Sequence, residues 1–69
     1  MTDHIYKIIE LTGSSPESTD QAIRSAVRKA GETVKHMDWF EVVETRGSIQ
    51  SGDVQFWQVT IKVGFRIES

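Results

Sequence analysis

Apolar residues gather in three β-like runs and one stretch of helical spacing. The first run, His4 to Leu11, is rich in isoleucine and predicts a strand. Thr12-Gly13-Ser14-Ser15-Pro16 follows, with the composition of a loop. In Ser18-Thr19-Asp20-Gln21, a serine precedes a glutamine by three positions. That is a capping-box signal, so a helix should begin there. Ala22, Ile23, Ala26, Val27, Ala30, Val34 and Met37 keep the i, i+3, i+4 spacing of one helix face. Arg24, Ser25, Arg28, Lys29, Glu32 and Lys35 form the polar face. The pattern predicts a helix of about five turns. Gly31 lies inside it, at a cost of about 1 kcal/mol relative to alanine.

Two longer β-patterned runs follow, Asp38 to Ile49 and Val54 to Ile67, joined by the turn signal Gln50-Ser51-Gly52-Asp53. Together they predict an antiparallel hairpin. In the last run Trp57, Val59, Ile61, Val63, Phe65 and Ile67 alternate with Gln58, Thr60, Lys62, Gly64 and Arg66, so the apolar set should face the helix. The expected fold class is α+β, in the order β-α-β-β. A three-stranded antiparallel sheet packs on one helix, and residues 1–69 form a single domain.

An unbulged hairpin turning at Ser51-Gly52 sets Trp39 opposite Gly64, Glu41 opposite Lys62, Val43 opposite Thr60 and Thr45 opposite Gln58. All eight then point away from the helix. A Glu41–Lys62 ion pair would favour this register. Phe40 and Val42 fall on the helix side against Val63 and Ile61. Gly64 has no side chain, which leaves open space beside the Trp39 indole where a flat ring could stack. Gln58 shares the outer face but lies six residues along the strand from the Trp39 position, about 20 Å at ~3.3 Å per residue. One small ligand can touch both only between subunits. Arg46 has the opposite parity and reaches this face only through a bulge, for which Gly47 is a candidate.

Composition adds constraints. A chain of 69 residues has a small core, and cysteine is absent. Disulfides and the common zinc clusters are therefore excluded, and association is the remaining route to stability. The net charge of −2 argues against a general nucleic-acid binder. No run of about 18 apolar residues spans a membrane, and Met1-Thr2-Asp3-His4 lacks signal-peptide features, so the expected location is cytoplasmic.

Read by itself, an exposed tryptophan such as Trp39 is more often an interface anchor than a cofactor platform. Trp57 reads as core, and His4 and His36 as surface residues. Arg28, Lys29 and Lys35 read as the wet face of the helix. No nucleophile–base pair, carboxylate dyad or phosphate-binding glycine loop is present, so no enzyme is expected.

Tyr6-Lys7-Ile8-Ile9-Glu10-Leu11-Thr12-Gly13-Ser14-Ser15, Asp38-Trp39-Phe40-Glu41-Val42, Thr45-Arg46-Gly47, Gln58-Val59 and Val63-Gly64-Phe65-Arg66 together resemble the dodecins, small flavin-binding proteins of bacteria and archaea. The resemblance covers nearly the whole chain. It implies a hollow homododecamer of cubic symmetry, with flavins held in pairs at two-fold axes between subunits. It matches Trp39 to the tryptophan that stacks on the isoalloxazine and Gln58 to the glutamine that hydrogen-bonds the ring. It matches Arg46 to an arginine beside the flavin. The implied role is storage or sequestration of flavin, with FMN favoured over riboflavin in bacterial members. Some members also bind coenzyme A, for which Lys7, Lys29, Lys35 and Arg66 are the basic candidates. The alternatives are a ligand-free oligomeric scaffold and a small module stacking single-stranded nucleic acid on Trp39.

Overall fold

The computed structural model describes residues 3–67. The elements are β1 (Ile5–Ser15), α1 (Thr19–Gly31), β2 (Met37–Gln50) and β3 (Asp53–Ile67). They form a three-stranded antiparallel sheet in the order β1-β3-β2, with the helix on one side. This is the expected β-α-β-β, α+β architecture.

Strand β1 continues through the segment expected to be a loop. Thr12, Gly13, Ser14 and Ser15 pair with Thr60, Val59, Gln58 and Trp57. Gly13 is there for packing. A Cβ at this position would collide with the Ala22 carbonyl oxygen and meet the Ala26 Cβ at 3.0 Å. A glycine in a strand marks such a close approach. With the small row Ala22, Ala26 and Ala30, all buried, it lets the helix settle onto the sheet.

The helix starts as expected: Ser18 Oγ accepts from the Gln21 N–H at 3.1 Å. It ends earlier, at Gly31 rather than Met37. Glycine is a poor helix former, and β-branched Thr33 and Val34 follow. The N–H groups of Thr33 and Val34 both donate to the Ala30 carbonyl, and His36 takes φ 65°, turning the chain into β2. Met37 still packs against the core, but from a strand.

The hairpin turns at Ser51-Gly52, with Gln50 paired to Asp53. Three irregularities interrupt the β2–β3 ladder. Gln55 is unpaired in β3, whereas Val43 and Asp38 are the extra residues of β2. The shifts at Gln55 and Val43 compensate, so Trp39–Gly64 and Glu41–Lys62 keep the expected register. Between the two bulges the expectation fails. Glu44, not Val43, faces Thr60, and Arg46, not Thr45, faces Gln58. Glu41 and Lys62 stand in register without closing to an ion pair.

Ala22, Ala26, Val59, Ile61 and Val63 form the buried core, with Ile9, Leu11, Ile23, Val27 and Met37 packed around it. The helix lies over β1 and β3. Phe40 and Val42, expected in the core, do face Val63 and Ile61, but they lie beyond the helix and remain 48% and 47% exposed. Trp57 is only half-buried, because it pairs with the last residue of β1 at the margin of the core. Phe65 is half-buried and Ile67 exposed at the other margin.

Candidate functional site

The register defines the rows on the face away from the helix. Tyr6 lies beside Arg66; Ile8, Gly64 and Trp39 share the next row; Glu10, Lys62 and Glu41 follow. Beyond them come Thr12, Thr60 and Glu44, whose two threonine hydroxyls are 2.8 Å apart, and then Ser14, Gln58 and Arg46.

At Gly64 the structure corrects the sequence reading. The space left by the missing side chain is filled by Trp39 itself. A Cβ on Gly64 would collide with the indole ring. Because β3 carries no side chain there, the indole crosses the central strand and reaches β1. Its ring centroid lies 4.8 Å from that of Tyr6, at an interplanar angle of 65°. This edge-to-face geometry is favourable for aromatic pairs. Trp39 is left 41% exposed, a platform with backbone beneath it and a tyrosine at its edge. Such a surface fits a flat aromatic ring, which would cover the remaining indole face. Sequence reasoning missed Tyr6. The signal was its even-numbered parity with Ile8 in β1, which becomes informative only once β3 is known to lie between β1 and β2.

At the other end of the face, Arg46 Nε donates to Gln58 Oε1 at 3.0 Å. The bulge this needed exists, at Val43 rather than Gly47. Arginine has only donors, so the Gln58 carbonyl must be the group turned toward it. The Gln58 amide nitrogen is thereby directed elsewhere, with two donors to offer. Gln58 is half-buried and Arg46 exposed. Gln58 lies six positions along β3 from Gly64, the register partner of Trp39, so Trp39 and Gln58 are not brought together within one subunit.

The backbones of Lys7, Lys35 and Arg66 lie toward the same end of the sheet. Lys7 pairs with Phe65 and Arg66 with Tyr6, while the Arg66 N–H donates to the carbonyl of His36, next to Lys35. Lys7 and Arg66 point to opposite faces of the sheet. Lys29, in the last helical turn, forms an exposed ion pair with Glu32 at 3.3 Å. Among the described residues no group of three or more His, Cys, Asp or Glu side chains could hold a metal ion, and no helix is long and apolar enough to cross a membrane.

Residues 5–68 match the family model for Dodecin. The dodecin of Thermus thermophilus is 47% identical over 64 residues, 93% of each chain. The solved dodecin of Streptomyces coelicolor is 48% identical, with a TM-score of 0.95 over 100% of this chain and 99% of its own. The solved calcium dodecin of Mycobacterium tuberculosis, described as having a calcium-binding site, is 29% identical, with a TM-score of 0.81 over 93% of this chain and 91% of its own.

Proposed function

The chain belongs to the dodecin family, and we propose that it stores or sequesters a flavin, FMN or riboflavin, between the subunits of a homododecamer and catalyses no reaction. In this reading residues 1–69 act as one cytoplasmic domain that engages neither membrane nor nucleic acid. The observation that carries it is the Trp39 indole lying across Gly64 against Tyr6, with one face open. Trp39 stacks on the isoalloxazine. Gln58 of another subunit meets the ring's polar edge through its amide, and Arg46 lies beside it. When bound, the flavin supplies a large planar ring with alternating acceptors and one N–H donor. The chain supplies apolar cover and matching donors. Lys7, Lys29, Lys35 and Arg66 are the basic residues available to a phosphate-bearing second ligand such as coenzyme A.

The test is a titration of apo-protein with FMN and with riboflavin. Protein and flavin fluorescence should fall together, and ligands released from natively purified protein should include a flavin by mass. Unchanged fluorescence over micromolar flavin would sink the reading in favour of a ligand-free scaffold. Salt-sensitive retention of single-stranded nucleic acid would favour the stacking module instead. The name of the mycobacterial relative raises a calcium reading for this chain, and calorimetry with calcium alone tests it separately.

A further inference from the structure

Gly64 is the one glycine of the central strand β3. Glycine weakens a strand interior, so its presence there needs a reason. Backbone conformation does not supply one. Among the described glycines only Gly52 has a positive φ, so Gly64 sits in geometry that any L residue can adopt. A β-branched residue would serve the sheet better at this place. What stands in the way of a side chain is Trp39. The three heavy atoms nearest an added Cβ are Cζ2, Cε2 and Cη2 of the indole, all in collision with it. Gly13 differs, since the first obstacle there is the Ala22 backbone.

Non-bonded carbons rest about 3.5–4.0 Å apart, so a methyl group at residue 64 would lift the indole by about 1 Å or more. The ring is a rigid plate and can only rotate about its side-chain torsions. Rotation takes it off the β3 backbone and away from Tyr6, whose ring centroid is 4.8 Å from its own. We infer that Gly64 is a positioning residue for the flat-ring ligand of Trp39. It sets the height and tilt of the platform, and with them the thickness and orientation of the ring that fits over it. The inference rests on the flavin-binding reading above. Gly64 is itself buried beneath the indole and acts through it. A stacked ring would sit about 3.5 Å above the platform, so a lift of about 1 Å takes up much of that gap. The rival explanation is that Trp39 only covers a weak point of the sheet, as aromatic residues do over strand glycines. Cover alone ties Gly64 to stability; positioning ties it to affinity, with stability kept.

Gly64→Ala, Trp39→Phe and the double variant are titrated with FMN by quenching of flavin fluorescence. Gly64→Ala should weaken binding about tenfold, the scale of one lost stacking contact. Its denaturation midpoint should stay at or above that of the parent, because alanine restricts the unfolded chain more than glycine does. Phenylalanine lacks the outer carbons Cζ2 and Cη2, so it leaves room for the alanine methyl. Trp39→Phe should therefore cost affinity when residue 64 is glycine and none when it is alanine. Parental affinity in Gly64→Ala, or losses that multiply in the double variant, would overturn the inference. A second readout needs no ligand. With Trp57→Phe, Trp39 becomes the only tryptophan, and its emission should move to longer wavelength on Gly64→Ala as the ring leaves the sheet. Unchanged emission overturns the inference. An emission shift in a chain whose parent binds no flavin overturns the flavin reading and leaves the hold of Gly64 on the indole standing. Should Gly64→Ala fail to fold, the double variant decides. A fold recovered by phenylalanine at position 39 supports the inference. No recovery overturns it, because something other than the indole would then keep residue 64 small.

Discussion

Strands β3 and β2 carry the same kind of alternation and meet different fates. On the helix side Val59, Ile61 and Val63 are buried, while their neighbours Phe40 and Val42 are about half exposed. β3 is central, bonded on both edges and roofed by α1, and it runs without a bulge from Trp57 to Gly64. β2 is an edge strand beyond the helix, and it absorbs two extra residues, Asp38 and Val43. The bulge at Val43 is what turns Arg46 to the outer face. The fixed strand therefore holds the fold, and the adjustable strand aims side chains at the candidate site. Changes to the roofed half should act on stability, and changes to β2 on binding and assembly.

Gly13→Val should destabilise the fold strongly. Its side chain has no room beneath Ala22 and Ala26. Either the helix lifts or the strand shifts, and overpacking of this kind typically costs about 1–3 kcal/mol, occasionally more. Direct contact with backbone puts this position at the upper end. Chemical denaturation should show a collapsed midpoint or no folded baseline. Wild-type stability would mean that α1 is not seated where Gly13 allows it.

Ile61→Ala and Val42→Ala test the contrast itself, since the two residues are register partners. Ile61 is fully buried, and its truncation should cost about 2–5 kcal/mol. Val42 should cost less than about 1 kcal/mol within the subunit, because much of it faces outward already. A loss at Val42 matching that at Ile61, and growing with protein concentration, would show that a second copy completes the core over β2.

Alternation in the sequence identified the faces from Trp57 to Ile67 but not what covers them. A period of two reports which side a side chain takes. Whether the helix reaches that far depends on its length, and the early stop at Gly31 was hidden by Val34 and Met37, which continue the apolar spacing. The turn-rich Thr12–Ser15 segment misled for a related reason. Gly13 is required by helix contact, not by a turn. The site was legible in part. Trp39, Gly64 and Gln58 fell on one face by parity, because the shifts at Gln55 and Val43 cancel before Trp39. The position of Arg46 between those shifts was not legible, since nothing in Val42-Val43-Glu44 marks a bulge. Tyr6 was missed because its contact crosses a strand distant in sequence.

Trp39→Ala tests the platform on the adjustable strand. Stacking contributes about 0.5–1.5 kcal/mol beyond burial of area. With the lost area added, flavin affinity should fall about thirtyfold or more. The chain should remain folded and assembled, since the indole lies on the outer face above Gly64. FMN binding as tight as in the parent protein would remove Trp39 from the site. Tyr6→Ala should act in the same direction but less, through loss of the edge that steadies the indole, and Tyr6→Phe should restore it.

The side chain that the fixed strand contributes to the candidate site is that of Gln58. Its carbonyl faces Arg46 Nε, so the amide nitrogen is the group left to meet acceptors on a flavin ring. Gln58→Glu keeps the size and leaves an oxygen toward Arg46, now as part of a carboxylate. What it loses is the donor. An ionised carboxylate only accepts, so it would face the ring carbonyls acceptor to acceptor. A mismatch of this kind typically costs on the order of 1–3 kcal/mol. Oxidised flavin should therefore bind about tenfold more weakly near neutral pH. Burial against the ring raises the pKa of the introduced carboxyl, while Arg46 opposes that rise. On mild acidification the protonated acid regains one donor, and affinity should partly recover. Arg46→Ala in the same background removes the opposing charge, so recovery should begin at higher pH. Fluorescence-quenching titrations of the parent and both variants at two pH values read all of this. Equal affinities at neutral pH would show that Gln58 does not read the ring edge, and would assign the Arg46–Gln58 pair to contacts between subunits.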